Sequence, residues 1–318
     1  MRLLLASAAL LAAIPAAAET IYVSNERANT ISVIDGTTLE PIATWPVGKR
    51  PRGIVLSRDG TQLYVCASDE NAVQVIDRTT GKVVADLPSG EDPETFALSP
   101  DGTLLFASNE RDATVTAIDV PGRKVAFQVV VGVEPEGMAV SPDGKIAVST
   151  SETDNAVHWI DIATRQVVGQ TPTDARPRHA EFTADGRQLW VSAEIGNSVQ
   201  VVDTATRKVI ETLHFAVPGI APEKVMPVQI RFTPDAKRAV IALGRGNALA
   251  IVDVQTRKVQ AIVPVGPRVW GVAITPDGAR AISADGLADT VTVVDLATAK
   301  VTATVPVGRA PWGVVVAP

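Results

Sequence analysis

The sequence predicts an all-β fold: a seven-bladed β-propeller with four antiparallel strands per blade, its ring closed by a blade shared between the two ends of the chain. Three observations predict it. Runs ending in Asp recur as "ISVID" at Asp35, "VQVID" at Asp77, "VTAID" at Asp119, "VHWID" at Asp161, "VQVVD" at Asp203, "LAIVD" at Asp253 and "VTVVD" at Asp295, spaced by 42 residues except for one interval of 50. A second marker, of the type Ser-Pro-Asp-Gly, places Asp59, Asp101, Asp143, Asp185, Asp235 and Asp277 each 18 residues before the next Asp of the first series. The chain ends on "GRAPWGVVVAP", which matches the start of a unit ("PRVWGVAITPDG") and breaks off before its Asp-Gly.

Within one unit, "RGIVLS", "QLYVCAS", "AVQVID" and "KVVADL" are four short runs rich in residues that suit a pleated surface. Asp-Gly between the first two supplies the positive φ of a tight hairpin. "DRTTGK", "DVPGRK" and "DTATRK" supply the turn between the third and fourth. The period is too long for a leucine-rich unit and its pattern is wrong for helical repeats, which leaves a four-stranded propeller blade. At the start of the fold, "IYVSN", "ISVID" and "PIATWPV" are three strands of a blade whose innermost strand is missing, and "PWGVVVAP" at the other end supplies it. The shared blade pairs an edge that would otherwise be exposed.

Ahead of these strands, "MRLLLASAALLAAIPAAA" combines a positive Arg2, an apolar run and a small-residue exit, the pattern of a cleaved secretory signal over residues 1–18. That leaves one domain, residues 19–318, expected to be periplasmic or secreted, with no membrane anchor. Cys66 is the only cysteine, so no internal disulfide can form and the core must hold the fold. Without Arg2, 28 basic residues face 35 acidic ones, a balance that argues against nucleic acid and anionic membranes as partners.

The "YVSN…ISVID" strand pair and the "SPDG" turns resemble the YVTN-type β-propeller repeat family, and within it the exported propellers associated with pyrroloquinoline-quinone (PQQ)-dependent catabolism. The resemblance covers essentially all of residues 19–318, including the insert "HFAVPGIAPEKVMPVQIRFTPD". It implies a role beside quinoprotein alcohol or aldehyde oxidation, with a periplasmic protein partner such as a quinoprotein dehydrogenase or its cytochrome.

In a propeller, the loops between blades and the loops joining second and third strands emerge on one face, the usual binding surface. At the start of the innermost strand, the repeat register aligns Arg52, Glu94, Glu136, Arg178, Val228, Trp270 and Trp312. Two residues earlier stand Arg50, Asp92, Glu134, Arg176, Met226, Arg268 and Ala310. The neighbouring loops add Glu26, Glu110, Glu152 and Glu194. This predicts a charged mouth with a Trp-lined sector. Its charges can recognise a partner, or they can pair between blades and lock the ring. The tryptophans can bind, or they can plug the channel. The eight extra residues, roughly 214–227, lengthen one loop of the same face, as a binding element or a cap.

No CxxCH, G-x-S-x-G, P-loop or dinucleotide fingerprint is present, and no cofactor or metal site is expected. Of three histidines, His158 is expected on a blade surface, while His179 adjoins Arg178 and is the better functional candidate. Two functions remain open. The first is a non-catalytic binding or scaffold protein. The second is a lactonase-like hydrolase using Glu94, Glu136, Arg178 and His179 as acid–base and oxyanion groups. A carboxylate with a raised pKa in an enclosed pocket would separate them.

Overall fold

A computed structural model of the chain describes residues 19–318; the expected signal segment lies outside them. The described residues form seven four-stranded antiparallel sheets arranged as blades. Numbered from the first complete one, the blades span residues 51–88, 93–130, 135–172, 177–214, 227–264 and 269–306. In blade 7, Pro311–Ala317 pairs with Thr20–Asn25, followed outward by Thr30–Asp35 and Pro41–Pro46. The chain closes its own ring, as its truncated last unit predicts.

Burial follows position within the blade. Second and third strands, such as Gln62–Ala67 and Ala72–Asp77, are buried almost throughout, because neighbouring blades cover both of their faces. They therefore read as continuous apolar runs rather than alternating ones. Outermost strands such as Val83–Pro88 are largely exposed. Apolar clusters fill the spaces between blades, and the bulkiest members are aromatic. Trp190 of blade 4 meets Phe232 of blade 5 edge-on at 5.4 Å, and Trp159 of blade 3 meets Phe182 of blade 4 at 6.2 Å.

Two repeated turns hold the blade shape. Asp59 accepts hydrogen bonds from Ser57 Oγ (2.6 Å) and the Thr61 amide (3.0 Å), and its equivalents do the same. The next residue has a positive φ, 71° at Gly60, and Gly holds the position in every such turn except that of blade 5, where Ala236 adopts 56°. At the opposite end of the blade, Asp77 Oδ1 caps the amides of Thr79 and Thr80.

Polar pairs link second and third strands near the inter-blade-loop end. Asn25 donates to Ser32 (2.9 Å) and Asn109 to Thr116 (2.8 Å). His158 occupies the same register against Ser151 (3.1 Å) and is buried, not displayed on the blade surface as expected. The residue 214–227 insert is also packed: Phe215, Val217 and Val225 join the core cluster shared with Trp190 and Leu243.

Candidate functional site

The inter-blade loops deliver their charged residues to one end of the central channel, where they meet one another. Each innermost strand is preceded by a residue with positive φ, from Arg50 at 55° through Arg176 at 60° to Ala310 at 54°. An Asn or Asp side chain of the previous blade accepts its amide hydrogen at six of these joints, for example Asn29 for Arg50 (3.0 Å) and Asn155 for Arg176 (2.8 Å). This sharp entry tips the second strand residue into the mouth.

Arg178, almost wholly buried, pairs with Glu136 (3.1 Å), Glu152 and Glu194 (3.8 Å). Arg176 joins Glu152 (2.9 Å) to Glu194 (3.3 Å), and Arg268 reaches Glu194 at 2.6 Å. On the other side, Arg52 pairs with Glu26 (2.9 Å) and Glu94, and Arg50 with Asp69 (2.7 Å), Asp92 and Glu94 (3.2 Å). Trp270 and Trp312 stack at 6.5 Å and 21°. Arg268 covers Trp270 at 3.7 Å, and Arg52 lies over Trp312 at 5.9 Å. The mouth is a plug of paired charges and stacked rings, in which Arg268 Nε and Nη1 are buried without a hydrogen-bond partner.

Burial governs the protonation of this plug. It pushes Glu136 well above the ordinary carboxylate range, despite Arg178, with Glu94 and Glu152 adding to the rise. It also raises Glu152 against the pull of Arg178 and Arg176. Glu194 is buried as well, yet Arg178 and Arg268 together hold it below its usual value. Glu110 is pushed up to about 7 by burial and by the neighbouring Glu94, with which it shares a hydrogen bond. Carboxylate oxygens of Asp92, Glu94 and Glu110 lie within 4.8 Å of one another, a spacing that a cation could use. Arg50, Arg52 and Arg111 already face these groups, so the trio carries its own counter-charge.

Below the plug the innermost strands enclose a cavity of about 540 Å³. Its far end is lined by Arg58, Pro142, Pro234 and Pro276, which belong to the exposed Asp-Gly turns, so it opens on the face opposite the inter-blade loops. All seven fifth-position residues of the innermost strands line it: Val55, Ala97, Ala139, Glu181, Arg231, Ala273 and Val315. The third position is Gly in four blades, where inner strands run close together. A Cβ on Gly137 would lie 2.7 Å from the Arg178 carbonyl oxygen. Blade 4 carries His179 at this position and blade 5 carries Gln229, and both side chains line the cavity.

One wall of the cavity is therefore polar. Arg231 donates to Glu181 Oε2 at 2.7 Å and to His179 Nε2 at 3.0 Å. Because the guanidinium can only donate, Nε2 must be unprotonated, and burial together with Arg231 holds His179 well below its usual pKa. The ring proton of the neutral imidazole is thus on Nδ1, which has no protein partner. Burial raises Glu181, and Arg231 partly offsets the rise.

Comparison with known sequences places the chain. Family models match as "YNCE-like beta-propeller" over residues 6–97, "Cytochrome D1 heme domain" over 59–175 and "Lactonase, 7-bladed beta-propeller" over 137–317, the last spanning more than half of the chain. The chain belongs to the lactonase-type seven-bladed β-propeller family. No curated protein matches this lactonase-type propeller. Among solved structures it is similar to Kuenenia stuttgartiensis hydrazine synthase (24% identity, TM-score 0.73, covering 83% of this chain and 89% of that one). A functionally unknown Desulfotomaculum acetoxidans protein matches at 15% identity and TM-score 0.80, covering 94% and 98% of the two chains. The dihydro-heme d1 dehydrogenase NirN, in complex with DHE, matches at 18% and 0.69, covering 93% and 74%. At these identities the likeness concerns the fold.

In this lactonase-type propeller the candidate residues of the mouth do come together: Arg50, Arg52, Glu94, Glu136, Arg176, Arg178, Trp270, Trp312, Glu26, Glu152 and Glu194 through pairing or stacking, and Glu110 beside Glu94. His179 leaves them. One residue further along its strand than Arg178, it points to the cavity instead of the mouth. Glu181, Arg231 and Gln229 were missed by the sequence reading. Their signal was available in the same register: two charges at a fifth position that is otherwise Val or Ala.

Proposed function

We propose that the protein is an exported, non-catalytic binding propeller whose working site is the central cavity, where it holds a small organic molecule. The observation that carries this reading is the gathering of His179, Glu181 and Arg231, from two adjacent blades, on one wall of the 540 Å³ chamber. Chambers of this size with a few convergent polar groups are typical small-molecule sites. The chemistry of the wall favours holding over turnover. His179 has no free lone pair to take a proton, Glu181 is tied to Arg231, and neither Ser nor Cys is among the lining residues. The resemblance to propellers of PQQ-dependent catabolism supports a periplasmic or secreted role beside quinoprotein oxidation. A dehydrogenase or its cytochrome would dock on the inter-blade-loop face, where Ile195 and Leu287 stand 54% and 67% exposed at loop tips.

A second reading, lactone hydrolysis, is favoured by one specific observation: burial raises the Glu181 carboxyl on the cavity wall. Glu181 would then be the proton-transfer group and Arg231 the oxyanion partner.

One experiment separates the two. Small molecules from alcohol-grown cells are expected to raise the Tm of the wild type but not of Ala97→Phe, which fills the cavity from its wall. An equal shift in the variant would remove the cavity as the site. Lactone turnover by the wild type that disappears in Glu181→Gln would establish the hydrolase instead.

A further inference from the structure

The inter-blade-loop face is divided by charge. Over blades 1 to 3 its exposed tips carry Asp69, Glu70, Glu91, Asp112 and Asp154; Arg111, exposed among them, is tied to Asp92 at 3.2 Å. Over blades 5 to 7, and in the loop that returns to blade 1, they carry Arg245, Arg309, Arg27 and Lys49. Apolar side chains stand out on the same face. Val130 is 74% exposed at a position where five of the other outermost strands end in Pro. Val133 is 50% exposed at a loop position that Lys49, Glu91 and Arg309 hold elsewhere in the ring. Pro267 occupies that position half a ring away, exposed beside Leu287, whose amide it accepts at 3.1 Å. Ile195 stands at the tip of blade 4, between the two arcs.

Two rings stacked loop face to loop face, about a two-fold axis lying between them, meet with their blade order reversed. Let the axis pass through blade 4 and leave between blades 7 and 1. Blade 1 of one copy then meets blade 7 of the other, blade 2 meets blade 6, and blade 3 meets blade 5. Asp69 faces Arg27 and Glu91 faces Arg309, each pair drawn from one repeat position in two different blades. Asp154 faces Arg245, Val133 faces Pro267 beside Leu287, and Ile195 meets its own copy. Lys49 falls at the other end of the axis, where Glu70 of its own chain accepts its amide at 3.1 Å. We infer that the protein forms a two-fold dimer through its inter-blade-loop faces, the acidic arc of one copy lying on the basic arc of the other. Exposed charge pairs are individually weak, so the arcs set partner and register while the apolar tips add buried area. The cavity opens on the opposite face and stays open in the pair. A second copy and a docked dehydrogenase would exclude each other.

The test is sedimentation of the mature protein and of two charge-reversed variants. The wild type is expected to be a dimer at about 100 μM chain in about 0.1 M salt. Its dissociation constant is expected to rise at least tenfold in about 1 M salt, where the screening length falls from about 10 Å to about 3 Å. Asp69→Arg/Glu91→Arg makes the acidic arc basic, and Arg27→Glu/Arg309→Glu makes the basic arc acidic. Each new side chain keeps a sign already carried at the same loop position: Arg27 and Arg245 correspond to Asp69, and Lys49 and Arg309 to Glu91. Arg50, which loses Asp69, keeps Asp92 and Glu94. Both variants are expected to melt like the wild type and to self-associate at least tenfold more weakly. Mixed in equal amounts they are expected to dimerise again, because every contact between the two unlike variants joins opposite charges.

A wild type that stays monomeric at this concentration would overturn the dimer and leave the face to a partner of another kind. A dimer that persists in both variants would place the contact on another surface. Two folded variants that remain monomeric when mixed would overturn the reciprocal arrangement of the arcs. None of these outcomes bears on ligand binding in the cavity.

Discussion

Ala236 occupies a left-handed turn position that Gly holds in the five other turns of its kind, at 56° where they lie between 70° and 73°. A Cβ makes this conformation costly, so Ala236→Gly is expected to stabilise the protein by about 0.5–1 kcal/mol. The urea midpoint measures it, and a destabilised variant would show that the Ala methyl packs instead of straining. This departure was legible in the sequence as "TPDA" among "SPDG" turns. Glu181 and Arg231 were equally legible, as charges in an aligned row of Val and Ala. The proton on His179 Nδ1 was not: it follows from which atom of Arg231 reaches which nitrogen, and side-chain direction across two blades has no sequence signature.

The blade is a unit that cannot stand alone, since its second and third strands are apolar on both faces. Removing residues 311–318 deprives blade 7 of its innermost strand and exposes Val23 and Ile21 of the neighbouring strand to water. The truncated chain is expected to lose its cooperative thermal transition. A wild-type melt would refute closure as the source of ring stability. Between blades, Trp190→Ala would remove the fully buried indole that Phe232 packs against, at a cost of about 3–5 kcal/mol. Strand number and order were readable because period and turn chemistry repeat. The packing of the 214–227 insert was not, because a segment without repeat partners carries no register, and its Phe215 and Val225 found the core instead of the channel.

Across the whole ring the turn aspartates set the acid limit. Asp35, Asp77, Asp161, Asp203, Asp253 and Asp295 at one end, and Asp59, Asp101, Asp143, Asp185, Asp235 and Asp277 at the other, are held below their ordinary value mainly by hydrogen bonds from their own turns. A lowered folded pKa gives stability that is complete above the unfolded value, about 3.9, and is lost as pH falls below it. Glu110 acts with the opposite sign. Folded, it keeps its proton up to about 7; an ordinary Glu releases it near 4.5, so its contribution declines as pH rises through that window. Glu110→Gln is expected to flatten this part of the stability curve, and the difference between the two curves from pH 4.5 to 7.5 isolates the effect. Superimposable curves would refute proton sharing with Glu94.

The sequence by itself determined the architecture: a 42-residue period, Asp-Gly hairpins and a unit split between the two ends specify seven four-stranded blades closed on themselves, because turn geometry and strand burial are local and repeat. It also brought the right charged residues to one end of the channel. Only the tertiary structure decided what those charges do. Packing of blade 4 against blade 3 brings Arg178 within reach of Glu136, Glu152 and Glu194 at once, so the charges of the mouth form a plug. On the other side of the plug, the inner strands of blades 4 and 5 set His179, Glu181 and Arg231 on one wall of the cavity. Pairing between blades depends on distances across the channel, and no spacing along the chain encodes them.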